Sequence, residues 1–67
     1  MRELKTVREI IDELGGTEGL ARRERVSKKA VYAWVSRKQI ASHLYDSHLA
    51  ALADAGCTAS KRHWGQR

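Results

Sequence analysis

The sequence has no proline and no phenylalanine, a single cysteine, Cys57, and no long run of apolar residues. A lone cysteine cannot form a disulfide within the chain, which is typical of proteins in a reducing compartment. Without an apolar run, we expect neither a membrane-spanning helix nor the apolar core of a signal peptide. The composition therefore favours a cytoplasmic protein with no membrane partner.

The short length leaves little room for an enzyme. A chain of 67 residues buries only about 60% of its unfolded surface, so its core is small for holding a catalytic pocket in shape. Ser27 has no histidine near it in the sequence, and no other catalytic combination is evident. We expect a binding module that is not an enzyme, with no cofactor and no small-molecule substrate.

The histidines and the cysteine carry the donor atoms that zinc prefers, but their spacing argues against a metal site. His43 and His48 are five residues apart, which places them on different faces of a helix, and Cys57 and His63 form no Cys-x2-Cys anchor. We expect no bound metal. His48 is expected beside the core or in a subunit contact, and His43 at the surface.

Positive charge is concentrated in one stretch of the chain. The formal net charge is +5 and the isoelectric point about 9.9, values that suit nucleic acid, an anionic membrane surface or an acidic protein. Between residues 22 and 38 the only acidic side chain is Glu24. The basic residues of this stretch are Arg22, Arg23, Arg25, Lys28, Lys29, Arg37 and Lys38. A local positive surface is therefore predicted there.

Apolar spacing predicts four helices. The first contains the stripe Val7, Ile10, Ile11 and Leu14 and ends at Gly15-Gly16, with the first glycine suited to a left-handed conformation. Thr17 is predicted to cap a short second helix that buries Leu20 and Ala21. Ser27 is predicted to cap a third helix, from Lys28 to Ser36, that buries Ala30, Val31 and Trp34.

The rest of the chain predicts a fourth helix and a tail. After Ile40, a helix begins near Ser42 and ends at Gly56, with its core side chains expected to be Tyr45, Leu49, Leu52 and Ala53. No strand of useful length is evident. The prediction is an all-α, compact four-helix domain over residues 1–56 with a mobile basic tail over 57–67, a docked Trp64 being the less favoured alternative.

The middle of the chain resembles the helix-turn-helix DNA-binding regulators of the phage Cro and repressor family, from Thr6 to about Gly56. The small Ala21 stands where that family needs a close helix crossing, Val26 is the apolar turn residue, and Val31 and Trp34 are the anchors of the second helix. The same segment is also similar to the small helix-turn-helix repressors of anti-CRISPR operons. The family's usual turn has an apolar residue followed by glycine, where this chain has Glu24 and Arg25; a left-handed Arg25 would cost roughly 1 kcal/mol relative to glycine.

The resemblance implies a compact domain that places helix 28–36 in the major groove of double-stranded DNA. With Val31 and Trp34 buried, the residues expected to contact bases are Ser27, Lys28, Lys29, Tyr32, Ala33 and Ser36. Those expected to contact phosphates are Thr17, Arg22, Arg23, Arg25, Arg37 and Lys38. We expect a repressor or autorepressor that binds a palindromic operator as a homodimer, through Leu44, His48, Ala51 or the tail.

Several functions remain open at this point. A Cro-type switch protein and the repressor of an anti-CRISPR operon fit equally well. From a different class, a helical protein-interaction module, of the antitoxin or inhibitor type, would use the same basic face on an acidic partner. Architectural DNA binding without sequence preference is a third option, although such proteins often insert apolar wedges, and none is evident here.

Overall fold

Four α-helices, two short β-strands and two short 3-10 helices make up residues 1–65, which are the residues that the computed structural model describes. In chain order the elements are β1 (Arg2–Leu4), α1 (Val7–Glu13), α2 (Gly16–Glu24), α3 (Lys28–Arg37), a 3-10 helix (Ser42–Leu44), α4 (Tyr45–Asp54), β2 (Cys57–Ala59) and a second 3-10 helix (Lys61–Trp64). The predicted four helices are therefore present, in a compact and mostly helical chain.

Side-chain caps fix where two of the helices begin. Thr6 accepts a hydrogen bond from the backbone N–H of Glu9 (3.1 Å) at the start of α1. Ser27 accepts one from the N–H of Ala30 (3.2 Å) at the start of α3, which confirms the predicted cap.

The predicted cap at Thr17 is wrong, because α2 begins at Gly16, two residues before the start that a Thr17 cap implies, and its N-cap is Gly15. Gly15 and Gly16 both adopt positive φ, at 112° and 77°, which is a conformation that glycine takes without a steric penalty. The two glycines therefore complete the reversal between α1 and α2, and Thr17 lies inside the first turn of α2. The left-handed Gly15 was predicted and is confirmed.

The core forms where the four helices meet. Its side chains include the predicted stripe of α1 and the predicted inward residues of the next helices: Val7, Ile10, Ile11, Leu14, Leu20, Ala21, Val31, Trp34, Ile40 and Leu52. The buried face of α4 consists of His48 and Leu52, which are one turn apart. Ala53 lies on a different face and is exposed, so its predicted place in the core is wrong.

The C-terminal segment is folded into the same core, which corrects two predictions. The chain is not all-α, because β2 pairs in parallel with β1, with Arg2 opposite Cys57 and Leu4 opposite Ala59. The mobile tail is wrong for residues 57–65, since Cys57, Ala59 and Trp64 are buried and Trp64 is completely inaccessible. The ring of Trp64 packs against that of Tyr45, with 5.3 Å between centroids. Burial of this large side chain holds the segment in place.

Candidate nucleic-acid interface

A tight reversal of the backbone joins α2 to α3. Arg25 adopts a left-handed conformation, with φ 57° and ψ 41°. Its N–H donates to the carbonyl of Arg22 (3.3 Å), and the N–H of Val26 donates to the carbonyl of Ala21 (3.0 Å). These two bonds form a Schellman motif, which satisfies carbonyls that the helix end would otherwise leave free. A basic residue thus occupies the position at which glycine is normally found.

Val26 does not anchor this turn, and its predicted place in the core is wrong. Its side chain is 37% exposed. The buried contact at the turn is made by Glu24 instead, whose side chain is only 12% exposed and lies 3.2 Å from Nε2 of His48. The turn is therefore held by a polar contact where the sequence predicts an apolar one.

A buried chain of hydrogen bonds continues from Glu24 through His48 to Trp64. Nε1 of Trp64 donates to Nδ1 of His48 (3.0 Å), and Nε2 of His48 faces Oε1 of Glu24 (3.2 Å). An indole N–H can only donate, so Nδ1 of His48 is the acceptor and the proton of the neutral ring lies on Nε2, from which it donates to the Glu24 carboxylate. Below, this Trp64–His48–Glu24 arrangement is called the buried hydrogen-bond chain. It gives the half-buried Glu24 carboxylate a hydrogen-bond partner.

Burial favours the neutral form of His48. Loss of solvation lowers the pKa of His48, while the nearby Glu24 carboxylate acts in the opposite direction. A protonated imidazole donates from both nitrogens and cannot accept from Trp64. His48 is completely inaccessible, which confirms the expectation that it lies beside the core and removes its side chain from the candidate dimer contacts.

The exposed face of α3 carries the residues that the sequence predicts as base-contacting. Val31 and Trp34 are buried, at 0% and 6% exposure, and fix which face of the helix is turned inward. The outward side chains are Lys28, Lys29, Tyr32, Ala33 and Ser36. Tyr32 is 59% exposed, a large fraction for an aromatic side chain. No residue of α3 is acidic, so nothing on the helix itself offsets its positive charge.

Basic side chains surround this face, and some of them are paired. Glu18, near the start of α2, lies 3.8 Å from Arg22 and 3.9 Å from Lys28, so the beginnings of α2 and α3 are adjacent. Arg23 lies 3.6 Å from Glu24. The pairs made by Glu18 are well exposed, and such pairs contribute only about 0–1 kcal/mol. They leave both cations free to exchange partners.

The remaining predicted phosphate contacts lie at helix ends. Arg25, Arg37 and Lys38 are exposed, and Thr17 is half-buried in the first turn of α2. Lys38 closes α3 with a second Schellman motif: its N–H donates to the carbonyl of Val35 (3.1 Å), and the N–H of Gln39 donates to that of Trp34 (3.0 Å). The φ of Lys38 is 58°, nearly the same as that of Arg25. Both turns beside α3 therefore hold a cation in a left-handed conformation.

The histidine, cysteine, aspartate and glutamate side chains of residues 1–65 that could ligate a metal ion do not gather into a cluster of three. Cys57 is a free, buried thiol.

No helix within the described range combines the length and the apolar character needed to cross a membrane.

Comparison with protein families, curated proteins and solved structures finds no match for this chain.

Proposed function

We propose that the chain is a sequence-specific regulator that binds double-stranded DNA with α3 in the major groove. The observation that carries this proposal is the two-sided character of α3. One face is fixed to the core by Val31 and Trp34, and the other presents basic and hydrogen-bonding side chains without a carboxylate. A helix with its side chains is about 10–12 Å across, which matches a major groove about 12 Å wide.

The exposed side chains of α3 suit the edges of bases. Lys28 and Lys29 can donate to O6 and N7 of guanine, and the methyl group of Ala33 can contact the methyl group of thymine. Tyr32 can donate or accept. The hydroxyl of Ser27 accepts from Ala30, which leaves its proton free to donate, and Ser36 lies further along the same face.

The flanking cations suit phosphates. Contacts to the DNA backbone set the register of a protein on the duplex, whereas contacts to bases discriminate between sequences. Arg25 and Arg37 lie at the two ends of the turn-α3 segment, and no carboxylate pairs with either of them among residues 1–65. Of the predicted phosphate contacts, these two arginines are therefore the best placed to bind phosphates on the two DNA strands. Thr17 and Arg22 would contact the backbone from α2, with Arg22 exchanging Glu18 for phosphate.

A single reader helix makes few base contacts, so the proposal includes a homodimer that binds two half-sites about one helical turn apart and represses transcription. Leu44 and Ala51 are half-buried and packed at the edge of the core. They remain candidate dimer contacts. A single protomer on the selected operator, measured by sedimentation, would overturn this part of the proposal.

The proposal is tested by comparing a variant that loses a base contact with a variant that loses a phosphate contact. A binding sequence is first selected from a random duplex pool. Lys29→Ala should then relax preference at one position of that sequence, at a cost of roughly 1–3 kcal/mol, because a base contact is lost. Arg37→Ala should weaken binding to all duplexes alike and reduce the salt slope by about 1, because a phosphate contact is lost.

Both changes are at exposed positions, so circular dichroism should show the fold unchanged and serves as the control. Equal effects of the two variants on selected and random duplexes would contradict the proposed roles. Binding without any sequence preference would instead favour architectural DNA binding or an interaction module for an acidic partner.

A further inference from the structure

A groove outside the proposed base-reading face is formed by three parts of the fold. Residues 5–8 around the start of α1, Val35 and Lys38 at the end of α3, and the 3-10 helix Lys61–Trp64 border an open groove with a volume of about 510 Å³. Val7 and Val35 contribute apolar surface to it, and the cations around it are Lys5, Arg8, Lys38 and Arg62. Below, this is called the cationic groove. None of its residues belongs to the set expected to contact bases.

The charge in the cationic groove is largely uncompensated. Lys5 pairs with Glu3, with 2.8 Å between Nζ and Oε1. Within residues 1–65, no carboxylate lies within ion-pair distance of Arg8, Lys38 or Arg62. The Glu3 carboxylate attracts Arg62 only at longer range, and no carboxylate lines the groove. Three free cations around one concave surface repel one another, and an anion bound between them would relieve that repulsion.

The conformation of Lys38 is consistent with a role for its side chain in this groove. A left-handed backbone costs a lysine about 1 kcal/mol relative to glycine, and the Schellman motif at the end of α3 needs only the backbone of this residue. A residue that keeps an unfavourable conformation can do so because its side chain is used. Here the side chain lines the groove.

The apolar surface decides which kind of anion fits. Val7 and Val35 line the groove together with the cations, and His63 also borders it. Burial, and then the charge of Arg62, lower the pKa of His63 and favour its neutral ring. Inorganic phosphate would use the cations and leave the apolar surface wet, whereas a neutral apolar molecule would leave the cations unpaired. The volume lies within the range of about 300–1,000 Å³ typical of small-molecule sites.

We propose that the cationic groove binds a small organic anion that joins an acidic head group to an apolar body. The head group lies among Arg8, Lys38 and Arg62, and the apolar body covers Val7 and Val35. The proposal does not depend on DNA binding. Because Lys38 is also an expected phosphate contact, an occupied groove would compete with DNA for this one side chain.

The test compares three probes on the whole chain without DNA: decanoate below its micelle concentration, decanol and inorganic phosphate. Binding is followed by backbone amide chemical shifts. Decanoate should give saturable shifts centred on Val7, Val35 and His63, with decanol and phosphate each binding at least about tenfold more weakly, since a charge-assisted hydrogen bond or a buried apolar chain is lost. Equal binding of decanol or of phosphate, or shifts centred elsewhere, would overturn the proposal.

A pair of matched variants locates the site. Arg62→Gln should weaken decanoate binding about tenfold, because the groove loses one of its free cations. Arg22→Gln removes an exposed cation that does not line the groove and should leave decanoate binding unchanged. Both variants should keep the amide dispersion of the folded chain. The same effect in both variants would show non-specific charge attraction and would contradict a defined site.

Discussion

The two turns that flank α3 have the same backbone geometry but are held in different ways. Arg25 and Lys38 adopt φ values of 57° and 58°, and each closes a Schellman motif. After Lys38, the chain is anchored by Ile40, which is 1% exposed and whose N–H donates to the carbonyl of His63 (2.7 Å). After Arg25, Val26 is at the surface, and the anchor is the buried hydrogen-bond chain from Glu24 to Trp64.

This difference shows how one backbone motif can take its stability from two kinds of interaction. An apolar anchor such as Ile40 contributes through burial, which does not depend on protonation. A polar anchor contributes only while every buried partner is satisfied, and it fails when one partner changes its proton count. The first turn is therefore expected to respond to pH. The second turn should depend on the burial of Ile40 and on its backbone hydrogen bond to His63, neither of which depends on pH.

The largest effect is expected from removing Trp64, which lies at the C-terminal end of the buried hydrogen-bond chain. Trp64→Ala should lower the free energy of unfolding by roughly 3–5 kcal/mol, because a fully buried ring and the donor to His48 are both lost. Small domains have only about 5–15 kcal/mol in total. Urea denaturation measures the change.

Lys61→Ala is the control, since it alters an exposed residue of the same 3-10 helix and should change stability by less than about 0.5 kcal/mol. A Trp64→Ala variant as stable as this control would contradict a docked C-terminal segment.

A smaller loss of stability is expected from removing Glu24, at the other end of the buried hydrogen-bond chain. Glu24→Ala leaves the Nε2 proton of His48 buried without an acceptor, which should cost about 1–3 kcal/mol. Glu18→Ala is the matched control, because the Glu18 carboxylate is exposed and makes only surface ion pairs. If both variants have the same stability, Glu24 does not hold the first turn.

Mild acid should weaken the polar anchor. The pKa values of His48 and His63 are both lowered in the folded chain from the ordinary value of 6.5, chiefly by burial. Below about pH 6.5 the unfolded chain therefore binds more protons than the folded chain, and stability falls as pH falls, by at most about 1.4 kcal/mol per pH unit for each histidine. Above that pH this contribution is fully present.

Two variants separate the turns in this experiment, which measures the free energy of unfolding from pH 7 to pH 5. Trp64→Phe removes the N–H that requires a neutral His48, so its stability should depend less steeply on pH. Ile40→Ala should lose about 2–5 kcal/mol through lost burial while keeping the pH dependence of the unchanged chain. The distinction between the two anchors would be refuted if Ile40→Ala reduced the pH dependence of stability and Trp64→Phe left it unchanged.

The smallest effect concerns the feature that the turns share. Arg25→Gly and Lys38→Gly should each raise the free energy of unfolding by about 0.5–1 kcal/mol, because glycine adopts positive φ without a steric penalty. Arg22→Gly, within α2 at an ordinary helical conformation, should instead lower it by about 1 kcal/mol. Destabilisation by all three changes would mean that the two cations contribute contacts that outweigh their backbone cost.

Local patterns account for the parts of the fold that the sequence predicts. The stripe of α1, the cap at Ser27 and the anchors Val31 and Trp34 each depend on residues within a few positions of one another. The start of α2 was missed because two consecutive glycines with positive φ shift it ahead of Thr17. The exposed face of α3 could be predicted because burial of Val31 and Trp34 fixes it.

The parts that the sequence does not predict depend on contacts between distant residues. Strands β1 and β2 pair residues that are far apart in the sequence, such as Arg2 with Cys57. Each strand has only three residues, so neither shows a useful alternation of apolar and polar side chains. The buried hydrogen-bond chain joins residues that are 24 and 16 positions apart. In the sequence, Glu24 stands where an apolar residue is expected and Trp64 stands in the predicted tail. Nothing local in the sequence shows that the two belong to one hydrogen-bonded arrangement.

The central claim, that α3 reads DNA sequence, is tested most directly by the ratio of two dissociation constants. The whole chain is titrated at one fixed salt concentration with the best duplex selected from a random pool and with random duplexes of equal length. Specific regulators usually bind their site about 10³-fold tighter or more, and we expect a ratio in that range. A ratio below about tenfold would contradict the claim.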